Sequence, residues 1–301
     1  MEGKTANWNP WHGCRKVSAG CLHCYMHRMD DNRGIDGTIV RRTADFSLPA
    51  RQNRQGGFKL EPGTMVYTCF TSDFLVEEAD PWRQEAWAMM RQRADLTFFF
   101  ITKRIERLER CAPPDWGAGY PNVFFGCTME NQQMADRRMP VFLAAPIARR
   151  TVICEPLLGS IELGRWLEGG RIFQLVVGGE SGPEARVCDY RWILSLREQC
   201  LAAGVSFSFK QTGARFLKDG RLYRVPRGLQ HAQAKKAGLG IDPFIRNLVA
   251  GVQLRPRPPD EVAALVRELH AIGNNANQIA YWANAQKSAA EPELRRAAAL
   301  V

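Results

Sequence analysis

The chain has no run of about 18 consecutive apolar residues, so nothing in it reads as a membrane span. Its first residues, Met-Glu-Gly-Lys-Thr-Ala-Asn, lack the apolar core of a signal peptide, and the expected compartment is the cytoplasm. Closely paired cysteines are scarce as well. Cys21 and Cys24 form one Cys-x-x-Cys near the N-terminus, whereas a structural zinc site usually draws on two such pairs. Acidic residues thin out toward the end. Residues 213–301 carry 14 Lys and Arg against 7 Asp and Glu (+7), and residues 1–212 carry 27 against 24 (+3), together the +10 of the whole chain. A basic appendix on a near-neutral body points to a polyanionic partner, most simply nucleic acid. A merely soluble basic tail is the plainer alternative.

Hydrophobic residues at 45% and charged residues at 24% are ordinary for a globular protein, and 301 residues suffice for one barrel-sized domain with a small addition. Nine cysteines in an unexported chain argue for metal or redox chemistry rather than disulfides. Six of them (Cys69, Cys111, Cys127, Cys154, Cys188 and Cys200) are scattered and read as small buried hydrophobes. Cys14, Cys21 and Cys24 are different. They lie C-x6-C-x2-C on a loop where Gly13 and Gly20 let the backbone fold back. Three readings stand: a four-iron, four-sulfur cluster with one iron left open, a zinc site completed by His12, His23 or His27, and thiols without metal. The aromatic Tyr25 directly after the last cysteine favours the cluster.

Apolar runs at Thr64–Phe70, Leu96–Ile101, Val123–Cys127, Thr151–Cys154, Phe173–Val177 and Val205–Phe209 read as buried strands. Helix-like segments over Pro81–Arg93, Asn131–Leu143 and Arg191–Ala203 alternate with them. With a first strand before the cysteine loop, the expected fold is α/β, a partial or complete (β/α) barrel of about seven units. Chemistry in such barrels gathers at the C-terminal ends of the strands. Polar residues fall there: Ser72 and Asp73, Lys103 and Arg104, Glu130 and Asn131, Glu155, Gly178-Gly179-Glu180-Ser181, and Lys210 and Gln211. Each taken singly is matched by a scaffold salt bridge, a solvated helix start or an ordinary βα turn.

Over residues 5–213 the chain resembles a family of phage and prophage proteins, mostly of unknown function, in or near the radical S-adenosylmethionine (SAM) superfamily. The resemblance rests on Trp8-Asn9-Pro10 with Gly13-Cys14, Gly20-Cys21-Leu22-His23-Cys24-Tyr25, Thr102-Lys103-Arg104, Glu130-Asn131-Gln132, Glu155-Pro156-Leu157-Leu158-Gly159, Val177-Gly178-Gly179-Glu180-Ser181-Gly182 and Phe209-Lys210-Gln211. The common spacing of radical SAM enzymes is C-x3-C-x2-C, so the six-residue interval is a departure. The resemblance implies a radical SAM barrel in which Cys14, Cys21 and Cys24 hold a [4Fe-4S] cluster and SAM chelates its open iron. Tyr25, Ser72, Asp73, Gly178, Gly179, Glu180 and Ser181 would then bind SAM. Lys103, Glu130, Glu155 and Lys210 would act on substrate, with Arg104, Asn131 and Gln211 binding it. The resemblance supplies no substrate; a phage-type enzyme with a basic tail suggests a group on a nucleic-acid base, such as an amino-acid adduct on thymine in phage DNA. An electron donor such as flavodoxin or ferredoxin would serve it. The competing reading is a non-catalytic DNA-binding protein with structural zinc.

The domain boundary is expected near residue 213, with a basic, mainly helical segment over 214–301. There, Arg221–Val225 reads as a short strand, Arg227–Ala237 and Pro243–Ala250 as helices, and Val262, Leu265, Val266, Leu269 and Ile272 as an apolar helical stripe. The order is similar to a ribbon-helix-helix DNA-binding unit. The stretch 272–279 resembles plasmid mobilisation accessory proteins. Ribbon-helix-helix units pair with a second copy, which allows a homodimer.

Overall fold

The computed structural model describes residues 4–225. Seven strands form one all-parallel sheet in chain order: β1 (Thr5–Trp8), β2 (Met65–Thr68), β3 (Thr97–Thr102), β4 (Val123–Thr128), β5 (Arg149–Cys154), β6 (Gln174–Gly178) and β7 (Ser206–Gln211). Each strand lies beside its predecessor, so every crossover winds the same way and the helices collect on one face. The sheet curls into a half-barrel. Its edges are β1 and β7, which no ladder joins, so the expected barrel is partial.

The two faces differ. Along β3, Phe98, Phe100 and Thr102 are buried while Thr97, Phe99 and Ile101 are half-buried, the period-two alternation of a strand. The buried face meets α2 (Asp80–Gln92), α3 (Gln132–Ala144) and α4 (Tyr190–Ala203). Phe100 packs against Phe74 and Phe125 with ring centroids 4.5 and 4.3 Å away, and Trp87 of α2 closes over Phe74 at 4.7 Å. Each buried aromatic of this kind contributes about 2 kcal/mol. The six scattered cysteines all lie in this apolar interior.

Local chemistry sets the helix ends. Asn131 caps α3 by accepting from Met134 N at 2.9 Å, and Asp189 caps α4 by accepting from Arg191 N. Gly204 ends α4 in the left-handed region at φ 67°.

Beyond β7 the described chain continues as a hairpin of β8 (Arg215–Lys218) and β9 (Arg221–Arg224). β8 runs parallel to the two-residue strand Cys188–Asp189, through Phe216 and Leu217. The strand expected near 221–225 is thus present, and it pairs within the chain. The helices expected over 227–237 and 243–250 and the stripe 262–272 lie outside the described residues.

Candidate functional site: a three-thiol cavity at the strand ends

The cysteine loop leaves β1 and crosses the C-terminal ends of the sheet. Cys14, Cys21 and Cys24 line one cavity there, of about 310 Å3. Tyr25, Ser72, Asp73, Lys103 and Arg104 line it from β2 and β3 and the start of α1 (Tyr25–Asp31). Glu155 comes from the end of β5, Gly179, Glu180 and Ser181 from β6, and Lys210 and Gln211 from β7. Three expected site residues fall outside the lining: Gly178, Glu130 and Asn131.

The first cysteine has its own anchors. Gly13, at φ 94°, donates to Thr71 O at 3.1 Å, and a Cβ there would fall 2.2 Å from Ile39 O. Ser72 Oγ donates to Gly13 O, and Cys14 N donates to Gly37 O at 2.9 Å. The Arg104 guanidinium donates from Nη2 to Arg15 O at 2.8 Å and places Nη1 3.6 Å from Cys14 Sγ. Asp73 fixes that guanidinium through Oδ2 at 3.3 Å and also accepts from Thr102 Oγ1 and Lys103 N. Burial, then Asp73, pushes the Cys14 thiol up to about 12, and Arg104 pulls the other way. Asp73 and Ser72, expected to hold a cofactor, line the cavity and also shape the loop.

The stretch just before the second cysteine is held from the ends of β4 and β6. Gly20 N donates to Glu130 Oε1 at 3.3 Å, and Arg138 of α3 donates to Glu130 Oε2 at 2.6 Å. Arg186 grips Glu180 through Nε at 2.9 Å and Nη2 at 2.6 Å, and Nη2 also donates to Ala19 O at 2.9 Å. Arg28 of α1 reaches Ser181 O at 3.1 Å. Two carboxylate–arginine pairs therefore pin residues 19 and 20, beside Cys21. Burial works to raise both carboxyls, and their arginine partners hold each below the usual carboxylate range. Asn131, read as a substrate ligand, has its side-chain oxygen on Met134 N as a helix cap.

The double glycine is required by the chain itself. A Cβ on Gly179 would lie 2.1 Å from Thr212 O, and one on Gly178 would lie 2.9 Å from the Glu155 carboxyl carbon. Glu155 is held by Lys210 Nζ at 2.9 Å and by Gln211 Nε2.

Do these residues fit a metal centre? Among the described residues no three His, Cys, Asp or Glu side chains converge as ligands to a single ion. An iron–sulfur cube takes each thiolate at a separate iron and needs no such convergence. Three thiols lining one cavity supply the type and number of donors that such a cluster takes. Of the histidines, His12 is bound to Asp30 at 2.7 Å, His27 lies off the cavity wall, and His23 lines it.

Fold and site together define an α/β half-barrel protein with a three-thiol cavity at the C-terminal edge of its sheet. The chain belongs to the family DUF5131, described as a protein of unknown function, whose model matches residues 2–254. Residues 231–283 are similar to a second family, described as NikA-like, mobilization protein NikA. No curated protein and no solved structure matches the chain. Among the described residues no helix is long and apolar enough to cross a membrane.

The arginines that lock the carboxylates escape the sequence reading. Arg138 carried a signal, a charge among the buried Ala135, Met139 and Phe142 of α3. Arg186, in the β6–α4 connection, carried none.

Proposed function

We propose that the chain is a radical SAM enzyme that modifies or isomerises a group on a nucleic-acid base. That Cys14, Cys21 and Cys24 all line one cavity at the strand ends is the observation that carries this reading. Those three thiols would hold a [4Fe-4S] cluster, with SAM at its open iron. When bound, that pair supplies a 5′-deoxyadenosyl radical after one-electron cleavage of the sulfonium. The chain's own part is placement. Arg104 and Ser72 fix the Cys14 side of the loop, and Glu130 and Arg186 fix the Cys21 side. Lys103, Glu155 and Lys210 face the remaining space with an ammonium, a carboxylate and a second ammonium. An external donor such as flavodoxin or ferredoxin would deliver the electron.

The basic tail and its likeness to a mobilization protein support DNA as the carrier of the substrate base. A thymine bearing an amino-acid adduct would reach the cavity by flipping out of duplex DNA. The tail similarity to ribbon-helix-helix units extends the reading to a homodimer.

The test begins with anaerobic reconstitution of the full chain with iron and sulfide, followed by SAM and dithionite. The expected product is 5′-deoxyadenosine. Full iron loading with no such product would sink the enzyme reading. His23 on the cavity wall favours one competitor, a zinc-bearing DNA-binding protein. Stoichiometric zinc in anaerobically purified protein, with no iron uptake, would decide for it. DNA binding is tested by Lys235→Ala with Lys236→Ala in the full chain. We expect weaker binding and a salt slope shallower by about 1 for each phosphate that is no longer neutralised.

A further inference from the structure

The charges on the cavity wall balance in pairs, with one left over. Arg104 faces Asp73 at 3.3 Å, Lys210 faces Glu155 at 2.9 Å, and Glu180 is held by Arg186 at 2.6 Å. Lys103 also lines the cavity, yet it forms no ion pair among the described residues. Its Nζ has one polar partner, the hydroxyl of Thr128 at 3.3 Å. Thr128 is fully buried and itself lines the cavity. The backbone of Lys103 is fixed too, since its N–H donates to Asp73 Oδ2 at 2.9 Å. A half-buried ammonium is thus held at the wall of a partly enclosed space, with no carboxylate of the described residues within ion-pair distance. Glu130, already paired with Arg138, reaches it only as a longer-range field.

We propose that Lys103 and Thr128 form an anion subsite that takes a carboxylate or phosphate group of the substrate. An ammonium in a partly desolvated site gains most from an anionic oxygen that comes with the ligand, because protein dipoles alone leave its charge uncompensated. The hydroxyl adds a second donor to the same oxygen once Lys103 swings onto the ligand. Glu155 stays outside this subsite, since Lys210 and Gln211 occupy it. The proposal deepens the base-modifying reading, on which it rests, by requiring a substrate that carries a negative group near the reacting carbon. That group is either a carboxylate appended to the base or a phosphate of the strand.

The experiment is calorimetric binding to the full chain, reconstituted anaerobically and held without reductant so that no turnover occurs. Three probes are used: thymidine, thymidine 5′-monophosphate, and 5-carboxymethylaminomethyl-2′-deoxyuridine. We expect one of the two probes that carry an anionic group, the nucleotide or the zwitterionic glycine adduct, to bind about tenfold more tightly than neutral thymidine. Whichever gains identifies the source as phosphate or base-borne carboxylate. That gain, taken relative to the thymidine affinity of the same variant, should vanish in Lys103→Ala, persist in Lys103→Arg, and shrink in Thr128→Val. An unchanged urea-denaturation midpoint in each variant reports an intact fold. Failure of both anions to gain over thymidine overturns the proposal, as does a gain that survives Lys103→Ala. Iron content and 5′-deoxyadenosine, measured separately, report on the radical SAM reading, so the two can fail independently.

Discussion

The carboxylates at the strand ends fall into two groups that look alike in sequence and differ in the folded chain. Asp73, Glu130 and Glu180 are each locked by an arginine and each touches the cysteine loop or its anchors. Glu155, by contrast, is paired with the half-exposed Lys210 and sits on the open wall that Lys103 also lines. Arginine makes the difference. Its planar fork binds a carboxylate at two points and keeps its charge, which suits a permanent brace. Lysine is a mobile point charge, easily redirected to a ligand. The site therefore separates a rigid half that shapes the cysteine loop from a mobile half that faces the open cavity.

The sharpest way to break that contrast is Glu130→Ala. Glu130 is fully buried, and the side chain of Arg138 is 4% exposed, so the substitution strands a buried cation. A loss of about 3–5 kcal/mol in folding stability is expected by urea denaturation. Glu130→Gln retains an acceptor for Gly20 N and should cost less. A cost for Glu130→Ala below about 1 kcal/mol would mean that Glu130 is free for the catalytic role its position suggested.

Much of the fold was legible because buried parallel strands are plain apolar runs. Leu96–Ile101 and Val205–Phe209 needed shifts of a residue or two to match β3 and β7. The convergence of the cysteine loop with Ser72, Lys103, Glu155 and Lys210 was legible as well, since the strand direction of a parallel barrel places all strand ends together. Which of those residues face the cavity was hidden. Pairing partners such as Arg186 come from connections without periodicity, and Asn131 has equal standing in sequence as a cap or a ligand. Of the hairpin, β9 was legible and β8 was not, since β8 follows directly on the composition change near residue 213.

A second test uses acid. Glu130 and Glu180 have folded-state pKa values below the ordinary 4.5, lowered by Arg138 and Arg186 against the opposing effect of burial. A depressed carboxyl contributes stability that is fully present above its unfolded pKa and is lost as pH falls through the folded value. Stability should therefore be flat in this respect above about pH 5.5 and fall steadily below about pH 4.5. Glu180→Gln should narrow its deficit against wild type as the pH drops through that window. A deficit that stays constant down to the acid transition would show that the Glu180–Arg186 pair is no brace.

The smallest expected effect lies on the mobile half. The Lys210 side chain is 54% exposed, and its pair with Glu155 is a solvent-screened lysine interaction. Lys210→Ala should change stability by less than about 1 kcal/mol. Glu155 would keep Gln211 as a donor, so its carboxylate would stay in place while losing its counter-charge. That shift in balance has a consequence for the neighbouring wall. With Lys210 gone, the uncompensated Glu155 charge offsets the Lys103 ammonium across the cavity. The anion gain of thymidine 5′-monophosphate or the carboxylate probe should then fall by a few-fold at low salt and recover as salt screens the pair. A large stability loss would place Lys210 with the braces, and an unchanged anion gain would show that the two lysines do not share a field.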